Sequence, residues 1–277
     1  MSRMMTDTAT GVVALGMYDL PELRAATDAW WTAIARALRA EGVPGVPESL
    51  DRSRPYHEVW RDPALLLTQT CGYPLTHGFA DALTAVAVPT YATEGCGPGR
   101  YSSAFLVRDD DPAGDLADLR GRRATANGPD SQSGCNVLRS AVAPLADAGR
   151  FFSEVVWAGA HRRSLAAVRT GTADVAAIDA VTFALLSRHA PAETRGVRVL
   201  GWSESAPALP YAVRRGIDAG TRARIAAALL RAAADPNAAA AREALLIAGL
   251  SPVDDAAYTV MPAMRRAAER LGYPELA

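Results

Sequence analysis

Short runs of apolar, mostly β-branched residues alternate along this chain with longer stretches whose apolar positions recur every three or four residues. Period two marks strands and period 3.6 marks helices, so the pattern predicts repeated β–α units. Residues 11–17 read as a strand, 22–39 as a helix with Leu23, Trp30, Ile34 and Leu38 on one stripe, and 64–70 and 84–91 as further strands. A glycine-rich turn at 95–99 leads into a strand over 101–108, a short helix near Leu116 and a strand over 122–127. A helix follows Ser133, with Val137, Leu138, Val142 and Leu145 at helical spacing. Strands over 151–157, 173–178 and 197–202 then alternate with helices over 164–169 and 180–189. Such alternation argues for α/β architecture with mostly parallel sheets covered by helices on both faces. The last third is alanine-rich and reads as helices over 219–234, 238–248 and 255–271. Pro262 would sit most easily in a first helical turn, which would start the last helix later. The loop 42–47 reads as the most mobile surface segment.

The stretch 127–139, opening Asn127-Gly-Pro-Asp-Ser-Gln-Ser-Gly, combines a breaker with good N-cap residues just before a helix. Pro129 disfavours helix at Gly128, and Asp130, Ser131 and Ser133 are all suited to capping. The plain role of such residues is to cap. The first-turn amides of the helix they open also lack internal partners and carry the positive end of the macrodipole. An oxyanion set there is stabilised without a cationic side chain.

Composition narrows the chemistry. The chain has 277 residues, 49% of them hydrophobic, and a net charge of −1. It can bury a sizeable core, and it has neither the basic surplus of a nucleic-acid binder nor a field that steers polyanions. All 29 basic residues are arginine. With no lysine there is no Schiff base, pyridoxal anchor or P-loop lysine. Cys71, Cys96 and Cys135 form no close pair, and His57, His77, His161 and His189 stand far apart, so neither a zinc signature nor a disulfide framework is visible. No metal or cofactor is expected. The first ten residues lack a signal-like apolar core, and no apolar run reaches about 18 residues. They point to a cytoplasmic protein, or to a truncated or misassigned start.

The strand-like runs beginning at Tyr101 and Leu209 bracket a middle block with strands and helices of its own. If both cross between lobes, one lobe is discontinuous, formed by 11–100 and 209–277. The other is 101–208 and carries the Ser-Gln-Ser-Gly turn. A ligand cleft then lies between them, where strand ends and helix N-termini collect.

Five runs carry a family resemblance. They are Leu65-Leu-Leu-Thr-Gln-Thr-Cys-Gly-Tyr-Pro-Leu, Gly99-Arg-Tyr-Ser-Ser-Ala-Phe-Leu-Val-Arg, Asn127-Gly-Pro-Asp-Ser-Gln-Ser-Gly, Ala158-Gly-Ala-His with Ser164-Leu-Ala-Ala-Val, and Ala173-Asp-Val-Ala-Ala-Ile-Asp. In order and spacing they resemble the PhnD-like substrate-binding proteins of phosphate and phosphonate ABC transporters. The resemblance implies the two-lobed type II periplasmic-binding-protein fold, closing on a small ligand. It implies an oxyanion grip at Ser131, Gln132 and Ser133, with Gln132 standing where relatives commonly have threonine. It also implies ligand contacts from His161, from Tyr101 with Ser102 beside it, and from Asp179, which could equally cap the following helix. Tyr18 and Tyr73 are candidate walls. Val181 stands where relatives that bind aminoalkyl phosphonates place a carboxylate, which argues against an amine on the ligand.

The expected function is non-catalytic capture of a small oxyanion, phosphate or phosphonate-like, by a monomer that hands it to a permease. Two alternatives remain. One is a cytoplasmic enzyme on the same fold, using Ser131 or Ser133 with His161 and Asp179. The other is an intracellular ligand sensor. A Gly-x-Ser-x-Gly elbow, which the enzyme reading would favour, is missing around these serines.

Overall fold

The computed structural model describes residues 10–277. Residues 1–9, most of the stretch read for an export signal, lie outside the described residues. Two five-stranded sheets organise the chain, and each carries apolar clusters on both faces. The first runs in the order Val12–Ala14, Leu65–Gln69, Tyr211–Arg214, Leu83–Tyr91, Ile247–Ser251. The second runs Val197–Trp202, Ser103–Arg108, Val175–Asp179, Arg123–Ala126, Glu154–Trp157. A small ribbon of Cys96–Gly97, Arg100–Tyr101 and Ala206–Pro207 lies where the chain passes from one sheet to the other and back.

The sheets are mixed, not mostly parallel. Parallel pairing is confined to Val12–Ala14 with Leu65–Gln69, and to Arg123–Ala126 with its two neighbours. The reason is how the crossing strands are reached. A strand entered by a helical crossover repeats the direction of the one before it. Ser103–Arg108 and Tyr211–Arg214 instead arrive from the other sheet and run away from the crossing. Ser103 therefore pairs with Asp179, the last residue of its neighbour, and Tyr211 pairs with Gln69, the last residue of its own.

Period-two patterning places the cores. On the second sheet Phe105, Val107, Val175 and Ala177 face one side, where Leu138, Val142, Phe151 and Phe152 cover them. Ala104, Leu106, Ala176 and Ile178 face the other, against Leu165, Val168 and Leu186 of two helices. On the first sheet the helix Arg24–Ala40 buries Trp30, Trp31, Ile34 and Leu38, and Trp30 Nε1 donates to Tyr211 Oη at 2.8 Å.

Several boundaries differ from the pattern reading. The alanine-rich third holds a strand, Ile247–Ser251, because its helix stops at Ala244 and Leu246 takes a positive φ of 58°. The last helix is Val260–Arg270, with Pro262 in its first turn. Phe151 and Phe152 precede their strand, with both amides donating to the Ala277 carbonyl at 2.9 Å. The loop 42–47 is pinned by a buried Val43 and by the Gly11 amide, which donates to Gly45 O at 2.7 Å. The end of the chain, grouped by its sequence with the first lobe, packs on the second sheet: Ala268, Tyr273 and Leu276 join the Phe105 and Val107 core. No described helix is long and apolar enough to cross a membrane.

Candidate functional site

A cavity of about 310 Å³ lies between the two sheets. Tyr18 and Cys71 line it from the first-sheet side, and Asn127, Ser131, Ser133, His161 and Asp179 from the second. Three contacts close its rim. Tyr18 Oη donates to Asp179 Oδ2 at 2.9 Å, Tyr56 Oη donates to Asp130 Oδ2 at 2.9 Å, and Arg162 Nη2 meets Glu22 Oε1 at 2.7 Å. Arg162 also pairs with Glu193, so its charge is spent at the mouth.

The floor is the turn singled out in the sequence. Ser131 caps it, its Oγ accepting from the Gly134 amide at 3.0 Å. The turn Gln132–Asn136 is π-helical, and its first backbone bond runs five residues back, from Asn136 N to Ser131 O at 2.9 Å. The wider winding leaves one more first-turn amide without an internal carbonyl than an α-turn would. Cys71 and Ser133 line the cavity from opposite sides. Glycine at 134 has a packing cause, since a Cβ there would lie 1.9 Å from Asn127 Oδ1.

His161 is the first residue of the helix His161–Arg169, and its Nε2 lies 2.8 Å from Ser133 Oγ. Burial pushes the imidazole down to about 4, so the ring is neutral at pH 7. Its Nδ1 is buried without a partner. A bare lone pair is a cheaper orphan than an N–H, which assigns the proton to Nε2. His161 then donates to Ser133 Oγ, and the serine hydrogen is free for a group in the cavity. Asp179 acts in both ways foreseen for it. Its Oδ1 accepts from the Thr182 amide at 2.9 Å, capping the helix Ala180–His189, while Oδ2 faces the cavity and Tyr18. Burial pushes its carboxyl up to about 6, against the lowering effect of the Thr182 amide and the Tyr18 hydroxyl.

Ser131, Ser133, His161, Asp179 and Tyr18 are therefore brought to one cavity. Four other candidates lie elsewhere. Gln132 turns its side chain away, accepting from Asn136 Nδ2 at 2.7 Å and pointing Nε2 at Met264 sulfur, so it brings no side-chain donor to the cleft. Tyr73 stacks on His77 at 3.9 Å between centroids and accepts from Arg265, because the short helix Gly72–Thr76 faces the C-terminal helix. Tyr101 is buried and does not line the cavity, its hydroxyl lying 3.9 Å from the Cys71 sulfur. Ser102 serves through its backbone, its amide donating to Gly95 O and its carbonyl accepting from Ala180 N.

Sequence reasoning missed Tyr56, Trp60, Cys71, Asn127, Asp130 and Thr182. The Tyr56 and Trp60 rings lie 4.6 Å apart, an i, i+4 pair whose spacing was a usable signal. Val181 lies in the core, and the second carboxylate at the cavity is Asp130. Among the described residues, no group of three or more His, Cys, Asp or Glu converges to hold a metal. The Ser–His–Asp relay of the enzyme alternative is not assembled, since His161 Nδ1 has no partner and Asp179 bonds Tyr18 and Thr182 instead.

The family model described as "ABC transporter, phosphonate, periplasmic substrate-binding protein" matches residues 65–258. Among solved structures, a binding-protein component of an ABC phosphonate transporter from Pseudomonas aeruginosa superposes with a TM-score of 0.75 at 15% identity, covering 95% of this chain and 87% of that one. PhnD1 of Prochlorococcus marinus in complex with methylphosphonate gives 0.75 at 12% identity, covering 95% and 99%. A Xanthomonas citri protein bound to ATP gives 0.69 at 18% identity, covering 96% and 98%. At these identities the structures speak for a shared two-lobed type II fold. No curated protein sequence matches the chain.

Proposed function

Because this chain belongs to the periplasmic phosphonate-binding family of ABC-transporter substrate-binding proteins, we propose that it captures a small oxyanion of the phosphonate class between its lobes. The observation that carries the reading is the floor of the cavity. There, a π-turn capped by Ser131 leaves its first-turn amides without internal carbonyls, beside a Ser133 hydroxyl held as a donor by His161. Charge-assisted bonds of this kind are about twice as strong as neutral ones, and they need no lysine.

Cavity size and lining favour a phosphonate over inorganic phosphate. At roughly 30 Å³ per water, about 310 Å³ is the space of ten waters, more than a bare tetrahedral anion fills. The surplus is walled by Met17, Leu20, Tyr18, Tyr56, Trp60 and Leu209, which suit a short organic substituent. The ligand residues we propose are Ser131, Ser133, Asp179 and Tyr18, with the backbone of Gln132 and with His161 acting through Ser133. Tyr101 is not among them, since it does not line the cavity. Ser102 and Tyr73 are dropped, because neither lines the cavity. The closing bodies we propose are 11–100 with the chain from 209 onward, against 101–208, the final residues riding on the second body. Binding rather than turnover is supported by the orphaned His161 Nδ1, which leaves no acid to orient a catalytic imidazole. Delivery to a permease, by a monomer, is the partner reading that the family favours.

Isothermal titration against phosphate, phosphite, methylphosphonate and longer alkylphosphonates tests the assignment. Methylphosphonate or a longer homologue should bind more tightly than phosphate. Folded protein that gives no heat with any of them would remove it.

A further inference from the structure

A second cavity of about 300 Å³ adjoins the ligand cavity, at the ends of the first-sheet strands Val12–Ala14 and Leu65–Gln69. Gly16, Met17, Tyr56 and Trp60 line both. Glycine at 16 answers neither to conformation nor to packing: it takes no left-handed φ, and a Cβ built there meets no atom within 4 Å. What the bare Cα leaves clear is the space where the two cavities meet.

The second cavity differs from the first in its chemistry. Arg52 is held between Asp19 and Asp28, and Arg54 between Asp51 and Asp62, so neither arginine has an unmet charge to offer. Two other groups of the lining are free. Arg24, the first residue of the helix Arg24–Ala40, has no hydrogen-bond or ion-pair partner among the described residues. Gln69 is only 4% exposed; its Nε2 donates to Tyr91 Oη at 3.0 Å and to Leu209 O at 3.1 Å, while its Oε1 accepts no hydrogen bond. A free donor and a free acceptor in one cavity suit an alcohol, since a hydroxyl both gives and takes a hydrogen bond. A carboxylate uses only the donor, and an ammonium only the acceptor.

We propose that the second cavity is a subsite for a hydroxyl on the ligand's substituent, which makes the substrate class hydroxyalkyl phosphonates. The inference rests on the oxyanion reading of the Ser131–Gly134 turn. The head group sits on that turn, the carbon chain passes Gly16 beside Met17, Tyr56 and Trp60, and the hydroxyl accepts from Arg24 and donates to Gln69 Oε1.

Calorimetry of the full chain tests this with two series, plain alkylphosphonates and ω-hydroxyalkylphosphonates of two to five carbons, with methylphosphonate as the reference. At one chain length the wild type should prefer the hydroxylated ligand by about five-fold or more, the worth of a hydrogen bond to a charged donor. In Arg24→Met, a change at an exposed position, that preference should fall below about two-fold. Gly16→Val, whose side chain enters open space, should weaken the longer ligands of both series by about five-fold or more relative to methylphosphonate. Each chain is first shown to be folded by a cooperative thermal transition, and should one variant fail to fold the other decides alone. A wild type that binds methylphosphonate but prefers the hydroxyl at no chain length would overturn the subsite and leave the oxyanion reading intact. A preference that survives both substitutions would overturn it as well. No binding of any ligand by the folded wild type would remove the oxyanion reading and the subsite together.

Discussion

Asp179 and His161 line one cavity and should pull stability in opposite directions as pH changes. Asp179 is raised from 3.8 to about 6 by burial, so folding costs more as the carboxyl ionises. The folded state binds more protons than the unfolded one between those values, and stability falls as pH rises through that window. At 1.36 kcal/mol per pH unit the full effect is about 3 kcal/mol. His161 is lowered from 6.5 to about 4, again by burial. Here the unfolded state binds more protons, so stability falls as pH drops through the window, by a similar amount, about 3 kcal/mol. In the wild type the two slopes largely cancel between pH 4 and 6, and single substitutions unmask them. In Asp179→Asn, which keeps an N-cap oxygen for Thr182, stability relative to wild type should rise from pH 4 to pH 7 by about 3 kcal/mol, roughly 6 °C in melting temperature for a chain of this size. In His161→Gln the relative gain should instead grow as pH falls from 6.5 to 4. Urea unfolding of the three chains at pH 4.5, 5.5 and 7.5 measures this. Differences that stay constant with pH would refute the reasoning, because a lost contact alone has no such slope.

Ser133→Ala should weaken phosphonate binding about 10- to 100-fold, the worth of one hydrogen bond to a charged group, with little change in melting temperature; titration calorimetry reads it. Gly134→Ala sets a methyl against Asn127 Oδ1 and should destabilise by about 1–3 kcal/mol while abolishing binding, as denaturation and thermal shift with methylphosphonate would show. Gln132→Thr keeps the backbone amide, so affinity should hold. Asn136 Nδ2 would lose the Gln132 acceptor, at a cost of about 1–2 kcal/mol in denaturant unfolding.

Elements with strong local periodicity were legible in the sequence. The Trp30–Ile34–Leu38 stripe, the strand before Asp179 and the capped turn at Ser131 are all present. What local pattern could not carry was direction and partnership. The run beginning at Tyr101 was readable as a crossing between lobes from the block it brackets, but nothing in Ser103–Arg108 records that it must then run antiparallel to its neighbours. The start of Ile247–Ser251 was absorbed into a helix read over 238–248, because the alanine run before it outvotes a short strand. At the site, Ser133 and His161 were readable from their place at helix starts. Tyr56 and Cys71 reach the cavity from segments whose only link to it is the approach of the two sheets. That the Gln132 side chain turns to Asn136 and Met264 is set by the packing of the turn on the C-terminal helix, which no local pattern records.

The C-terminal segment has a mechanical consequence. Two crossing strands define an axis about which lobes can swing, but the helix Val260–Arg270 touches both sides of the cleft, at Tyr73 through Arg265 and at Asn136 through the Met261 carbonyl. A third attachment away from the axis turns a free door into one on a stay. Were the lobes to open as proposed, this helix would have to remain with one leaf and slip along the other. The side chains at that surface are Met261, against Gly72, and Met264, against Gln132. Unbranched thioethers repack at little cost, so they suit a bearing better than a β-branched side chain would.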